Sequence, residues 1–439
     1  MRKASSMTVS VISLGCPKNL VDSEHMLGIL GRAGFRLTAV PEASDVIVIN
    51  TCGFLQSAVA ESERVIRRCL KLKQTAAARK VIVAGCLVQR LSRRLRQTFP
   101  DVDAFVGIDG IRDLPGVIAH SRGGAEPGLP RALCSALTPR LVSTPRHYAY
   151  LRIADGCDNH CSYCLIPGIR GRFRSRRSED IRQEAGLLTR CGAKELILIA
   201  QDTTLYGQDR YGRKTLASLL RELGGTTGIE WLRLLYTHPA HYTPELIDEL
   251  ALNSKVVKYV DLPLQHINDR ILARMNRRYR RADVESLLAR LTAIPGMSIR
   301  TTFITGFPGE TEVEFHELSD FVAQGRFTHV GCFPYSPEPG TKAYRMARQL
   351  VPGIRENRAR DIMRVQRRVS LAHNRAHVGQ VLEVRIDAAG KDGYLGRTSS
   401  DAPEIDNVVH VRGKGLPVGA LVDARVTRAG AYDLYGTVV

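Results

Sequence analysis

Three times in its first 90 residues this chain runs a short, β-branched stretch into a cysteine. The stretches are Thr8-Val9-Ser10-Val11-Ile12, leading through Ser13-Leu14-Gly15 to Cys16; Asp45-Val46-Ile47-Val48-Ile49-Asn50-Thr51-Cys52; and Lys80-Val81-Ile82-Val83-Ala84-Gly85-Cys86. Largely apolar runs of this length, separated by helix-like segments at 26–33 and 58–72, read as strands of a parallel α/β sheet buried on both faces. Each cysteine then falls just past the carboxyl end of a strand, the edge at which open parallel sheets bind ligands. Core cysteines are common, but they are expected within strands or on helix faces. Three at one topological point argue instead for a shared metal or cluster site with Cys16, Cys52 and Cys86 as its ligands.

The rest of the 439 residues leaves room for two further domains. Six strand-like segments, at 148–154, 195–200, 231–236, 256–262, 298–304 and 328–333, alternate with helical stretches at 178–190, 215–222, 244–253, 283–293 and 312–325. This alternation predicts a parallel sheet. Six units are too few for the closed eightfold barrel, so an open, partial (β/α)6 barrel is expected. Its strand ends carry Cys157, Gln201 with Asp202, His238, Gln265 with His266, Thr305 with Gly306, and Tyr335 with Ser336. After a basic helix at 354–373, alternating stretches such as Val381-Leu382-Glu383-Val384-Arg385-Ile386-Asp387 predict a small antiparallel β barrel. The expected class is α/β. It comprises an N-terminal open parallel sheet (1–120), a Gly-, Pro-, Ala- and Arg-rich linker (121–144), the partial barrel (145–370) and the C-terminal barrel (371–439).

No apolar run approaches the ~20 residues of a membrane span, and Met1 to Met7 lacks the apolar core of a secretory signal. A reducing cytoplasm is expected, with no membrane partner and few disulfides, so the ten cysteines need another explanation. Cys69, Cys134, Cys191 and Cys332 show no patterned placement and read as structural thiols. The net charge of +19 resembles a nucleic-acid signal. However, arginine supplies 51 of the 63 basic residues, a bias that also follows genome base composition. From Arg375 onward eight basic residues meet eight acidic ones. A domain gripping tRNA phosphates should be strongly basic, so this balance argues against tRNA and suggests an acidic loop facing a basic protein.

The densest motif is Cys157-Asp158-Asn159-His160-Cys161-Ser162-Tyr163-Cys164. A structural zinc site takes four ligands in two paired halves, and no second half is present. A redox Cys-x-x-Cys needs only two thiols. Three ligands on one loop, Cys157, Cys161 and Cys164, suit a four-iron, four-sulfur cluster with one iron left open.

This Cys-x3-Cys-x2-Cys, placed after the first strand of a six-unit partial barrel, resembles the radical S-adenosylmethionine enzymes. The resemblance implies S-adenosylmethionine chelated through its amino and carboxylate groups at the open iron and cleaved on reduction to a 5′-deoxyadenosyl radical. Tyr163 holds the motif's aromatic position beside that cofactor. Together with the three-cysteine first domain and a TRAM-like last domain, nearly the whole chain resembles the methylthiotransferases. That family implies a second, auxiliary cluster on Cys16, Cys52 and Cys86 that carries the transferred sulfur. The cofactors implied are therefore two 4Fe-4S clusters and S-adenosylmethionine, with a flavodoxin- or ferredoxin-type reductant.

One branch of the family modifies an adenosine in tRNA, the other an aspartate of the twelfth small-subunit ribosomal protein. Gly15-Cys16-Pro17-Lys18-Asn19-Leu20-Val21-Asp22-Ser23-Glu24, Leu262-Pro263-Leu264-Gln265-His266, Arg300-Thr301-Thr302-Phe303 and Asp401-Ala402-Pro403-Glu404-Ile405-Asp406 look like the second branch. The tRNA branch would show Gln-Met-Asn after the first cysteine and Gln-Ser-Gly near residue 265.

Gln201, Asp202, Gln265, Arg300 and Thr305 are candidates for holding S-adenosylmethionine, and each also reads as ordinary loop polarity. Gly306-Phe307-Pro308-Gly309-Glu310 suits close approach to a cofactor and equally a strand-to-helix turn. The arginine runs at 170–177 and 274–281 would neutralise carboxylates or form solvated loops.

Overall fold

The computed structural model describes residues 7–75, 79–120 and 126–439. Residues 1–6 of the N-terminal stretch and 121–125 of the expected linker lie outside it. The first sheet has the order β2-β1-β3-β4-β5, from β1 (Thr8–Ser13), β2 (Arg36–Leu37), β3 (Val46–Thr51), β4 (Lys80–Gly85) and β5 (Ala104–Val106). All of its pairings are parallel. Side chains alternate across the strands. Val46, Val48, Ile82 and Ala84 therefore face one core with Met26 and Leu30 of α1 (Pro17–Arg32), while Ile47, Ile49, Val81 and Val83 face a second core. That second core is closed by α2 (Gln56–Gln74) and α3 (Cys86–Thr98), which supply Ile66 and Leu87 among others. The order reverses between β1 and β3, so the crevice outside their carboxyl ends is the switch point of a doubly wound sheet.

The central domain holds six parallel strands in the order β13-β12-β11-β10-β9-β6. They are β6 (Tyr148–Arg152), β9 (Glu195–Ile199), β10 (Trp231–Leu234), β11 (Val256–Asp261), β12 (Ser298–Thr305) and β13 (His329–Pro334), with a two-stranded ribbon of β7 (Ala154–Asp155) and β8 (Arg174–Ser175) beside the first. The sheet stays open, as six units dictate, and its outer face carries the largest apolar core of the chain. The basic helix runs over Pro352–Ala376 and leads to a closed barrel of β14 (Val381–Gly390), β15 (Gly393–Arg397), β16 (Val409–Arg412), β17 (Leu421–Ala429) and β18 (Leu434–Val438). Four of the five barrel pairings are antiparallel, and β16 with β18 is parallel.

Two features differ from the sequence reading. The described part of the linker is a pinned strap. Arg140 pairs with Glu24 of α1 at 2.6 Å and with Glu184 of the central domain at 2.6 Å, and the backbone passes directly over Gly28 of α1. The loop Asp401 to Asp406 is turned largely inward, with Asp401 buried and Glu404 exposed. It plugs the inner side of the open barrel, where Asp406 accepts from Tyr259 Oη at 2.7 Å and pairs with Arg300 at 3.1 Å. Ala402 packs there among Tyr148, Tyr150, Trp231 and Tyr259. The inner strand faces are rich in hydroxyl and guanidinium groups, and the acidic loop satisfies several of them, with Glu195 and Asp261 of the strands pairing with others.

Candidate active site between two parallel sheets

The carboxyl ends of the two parallel sheets meet at one cavity of about 400 Å³. Cys16, Cys52 and Cys86 line it from the first domain, and Cys157, Cys161 and Cys164 from the second. Local geometry on the first side depends on two glycines. Gly15 and Gly85, each preceding a cysteine, both have φ +95°, and a Cβ on Gly15 would stand 2.8 Å from the Cβ of Cys52. Asn19, in the first turn of α1, ties the three strand ends together. Its Nδ2 donates to the carbonyls of Leu14 and Thr51 at 2.7 and 3.1 Å, and its Oδ1 accepts from the Cys86 thiol at 3.5 Å.

On the second side, Cys157 N–H donates to Gly171 O at 3.1 Å, Ser162 N–H to Met275 O at 3.0 Å, and Asn276 Nδ2 to His160 O at 2.8 Å. These bonds hold the cysteine loop with His160 at φ +51°. Such left-handed backbone at a non-glycine residue costs on the order of 1–3 kcal/mol and gathers at functional sites. Tyr236 (φ +60°) and Gln265 (φ +68°) repeat it, and both line the cavity.

Burial pushes the Cys157 thiol up to about 11 and the Cys86 thiol to about 12, and it raises Cys52 and Cys164 as well. Thiolates there need positive partners, and the structure provides donors aimed at sulfur. Arg170 Nη2 donates to Cys86 Sγ at 3.1 Å, Arg277 Nη1 to Cys161 Sγ at 3.6 Å, Asn159 Nδ2 to Cys157 Sγ at 3.5 Å and Ile166 N–H to Cys164 Sγ at 3.4 Å. Hydrogen bonds to the sulfurs are one means by which proteins tune iron–sulfur clusters. Among the described residues no three thiol sulfurs lie within 4.8 Å of one another. Ligands of one zinc ion, each about 2.3 Å from the metal, would be closer than that. The donor set therefore fits two wide, three-thiolate clusters better than mononuclear metal.

The candidate cofactor contacts divide. Tyr163, Gln201 and Gln265 line the cavity. Gln201 Nε2 donates to Asp155 at 2.7 Å, and its buried Oε1 has no partner. It is an acceptor waiting for a donor. Asp202 lies behind the wall, accepting from Asn159, His241 and Thr204 at 2.8, 2.7 and 2.7 Å. Burial opposes its charge, but the bond from His241 and the nearby His238 hold its carboxyl below the usual range. Arg300 and Thr305 do not line the cavity. Arg300 pairs with Asp261 and Asp406, and Thr305 Oγ1 donates to Arg355 O at 3.4 Å. The Gly306 to Glu310 segment is a turn knitted to itself and to the basic helix, with Glu310 accepting from Gly306 N–H and pairing with Arg358.

Several residues of the site escape a reading by motif. Lys18 and Asn19 sit one and two residues beyond Pro17, inside a stretch whose resemblance marks the branch without showing which of its residues face the cavity. Tyr236 and Thr237 follow β10, beside the strand-end His238 that the sequence does show. From the arginine runs, only Arg170 and Arg277 reach the cavity, while Arg172 is exposed and Arg176 is buried against Glu184.

Comparison with known proteins follows the same three-part division. Residues 8–107 match the model of the Uncharacterized protein family UPF0004, 151–322 the Radical SAM superfamily and 378–439 the TRAM domain. The chain is 45% identical to a ribosomal protein uS12 methylthiotransferase RimO of Thermoanaerobacter sp. (strain X514) over 98% of its own length and 99% of the relative's. It is 43% identical to that of Heliobacterium modesticaldum over 99% and 95%. Among solved structures it resembles the radical S-adenosylmethionine methyltransferase TsrM of Kitasatospora setae, with a TM-score of 0.59 and 15% identity over 82% of this chain and 89% of that one. At that identity the likeness is one of fold.

Proposed function

This chain belongs to the RimO family of ribosomal protein uS12 methylthiotransferases, and from that premise we propose that it adds a methylthio group to the β carbon of an aspartate in the twelfth small-subunit ribosomal protein. The enzyme is a radical S-adenosylmethionine methylthiotransferase whose cofactors are S-adenosylmethionine and 4Fe-4S clusters. The observation that carries the residue assignment is the meeting of two cysteine triads, one from each parallel sheet, on a single cavity. Cys157, Cys161 and Cys164 hold the cluster that binds S-adenosylmethionine, and Cys16, Cys52 and Cys86 the auxiliary one.

When bound, these groups supply what amino acids lack: a radical able to take hydrogen from an unactivated carbon, and the sulfur and methyl to replace it. The chain supplies position and electrostatics. Arg170 and Arg277 offset the thiolates on the two sides. The unpartnered Gln201 Oε1 would accept an N–H of the cofactor's amino group, with Gln265 and Tyr163 as further residues that would hold it. Phe54, Tyr163, Ile166, Ile169 and Pro263 line the cavity with apolar surface, which excludes the water and side reactions that would quench a radical. Single electrons come from a flavodoxin- or ferredoxin-type donor. The reading places the chain in the cytoplasm, and no described helix is long and apolar enough to cross a membrane.

The test is a direct competition. Cluster-loaded protein is given uS12 and, separately, unmodified tRNA, with reductant and S-adenosylmethionine, and each product is weighed by mass spectrometry. Gain of a methylthio group on uS12 alone is expected. A modified tRNA with unmodified uS12 overturns the proposal.

A further inference from the structure

Among the described residues, three cations and no carboxylate line the cavity: Lys18, Arg170 and Arg277. Their situations differ. Arg170 is tied to Asp22 at 2.8 Å and Asp155 at 3.3 Å besides Cys86. Arg277 donates to Tyr279 Oη at 2.8 Å and Pro263 O at 2.7 Å besides Cys161. Lys18 is only 8% exposed, and its side chain makes no hydrogen bond or ion pair among the described residues. Its Nζ stands 3.1 Å from the centre of the Tyr236 ring. An ammonium has three N–H donors, and an aromatic face satisfies the charge in part. A buried donor left without an acceptor is costly.

The fold arranges this placement across two domains. Lys18 comes from the first turn of α1, two residues past Cys16. Tyr236 follows β10 of the other sheet and is held in left-handed backbone by Tyr236 N–H donating to Asp261 Oδ2 at 2.9 Å and Thr203 N–H donating to Tyr236 O at 3.0 Å. A strained residue thus supports a cation that makes no salt bridge, in a cavity whose described lining offers thiols but no carboxylate. Its N–H donors suit an anion small enough to enter, with oxygens to accept several of them.

We propose that Lys18 is the anchor for the carboxylate of the substrate aspartate, and so the residue that selects this side chain. The inference rests on the function proposed above. In aspartate the reacting β carbon is bonded to the carboxyl carbon, so fixing the carboxylate on Lys18 fixes the C–H bond next to it. The cation stands on the Cys16 side of the cavity, where sulfur must be delivered. S-adenosylmethionine is the other source of a carboxylate in this site, and the experiment must separate the two.

The test compares wild type, K18M and K18R, all full-length and cluster-loaded, binding uS12 peptides that carry either aspartate or its isostere asparagine at the modified position. Wild type should favour the aspartate peptide by about tenfold or more, the scale of a buried charge pair. K18M should bind both peptides alike, at the level wild type shows for asparagine, while K18R retains the preference. A K18M protein that still favours aspartate, or that loses equally on both peptides, overturns the proposal. Loss of affinity for S-adenosylmethionine itself would assign the carboxylate to the cofactor. Loss of iron would assign Lys18 to the auxiliary cluster, and either result overturns the proposal too. If wild type binds neither peptide, the uS12 reading fails and takes this inference with it.

Discussion

Arg170 shows how one side chain joins fold to chemistry. It is 2% exposed and reaches Asp22, Asn19 and Cys86 of the first domain as well as Asp155 of the second. Burial opposes the charge on Asp22, but Arg170 and Arg152 outweigh it and hold the carboxyl below its usual range. Replacing Arg170 by Met leaves Asp22 and Asp155 to share Arg152 alone, so a loss of about 3–5 kcal/mol is expected in denaturant unfolding of the apo chain. Arg170→Lys should recover little, because a point charge cannot bridge partners that a planar fork spans. The cysteines themselves are tested by iron analysis. About eight irons per chain are expected from two four-iron clusters. Ala at Cys157, Cys161 and Cys164 should remove half of the iron and abolish cleavage of S-adenosylmethionine. Ala at Cys16, Cys52 and Cys86 should remove the other half and stop sulfur insertion while cleavage persists. Full iron in either triple variant would sink that ligand assignment. At this scale the sequence shows the cysteines because their spacing and strand-end position form a pattern. It does not single out Arg170 from Arg172, since which arginine of a run turns inward depends on the partners that tertiary structure brings to it.

Among the elements, α1 is the one whose extent the sequence hides. A periodic reading begins it near Met26, whereas the helix starts at Pro17. Its first turns bury Lys18, Asn19, Asp22, Ser23, Glu24 and His25, so the inward face there is polar and shows no apolar stripe. The compensation lies in the cavity, in Arg152 and Arg170, and in the strap at Arg140. Gly28 lies beneath that strap. A Cβ added there would stand 2.4 Å from the backbone of Pro139 and Arg140. In an exposed helix Gly→Ala stabilises by roughly 1 kcal/mol. Here the sign should invert, because the obstructing atoms are backbone and cannot swing aside. Gly28→Ala is expected to destabilise by about 1–3 kcal/mol and to make the strap more open to limited proteolysis. A stabilised variant would show that the strap yields freely. The six strands of the central sheet are legible for the opposite reason: their outward-facing residues are mostly apolar, and strand and helix alternate at regular intervals.

For the whole molecule, the C-terminal barrel acts as a plug whose grip is ionic. Arg385 pairs with Glu230 at 2.8 Å, Arg397 with Glu195 at 2.5 Å and with Asp387 at 2.8 Å, and Arg233 with Glu195 at 2.7 Å. Counting charges from Arg375 onward gives zero but misses that several of those charges face inward. Arg385, Arg397 and Asp401 are buried, so composition alone misstates the surface a partner meets. Burial opposes the charge on Glu195, but Arg397 and Arg233 outweigh it and lower its pKa from 4.5 to about 2. The folded pKa is depressed, so the stabilisation is fully present above pH 4.5 and is lost as pH falls through about 2. Its size is on the order of 3 kcal/mol. Trp231, the chain's single tryptophan, reports on the joint directly, with the Arg385 guanidinium 4.4 Å and the Arg397 guanidinium 5.8 Å from its ring centre. Tryptophan emission should shift to the red in acid as the joint opens, with the change falling between pH 4.5 and 2. Glu195→Gln should show a red-shifted emission already at pH 7 and a flatter profile across that window, because the titrating group is gone. Two identical profiles would mean that other carboxylates govern the acid transition, and that the barrel is held by its apolar contacts around Ala402 rather than by this buried triad.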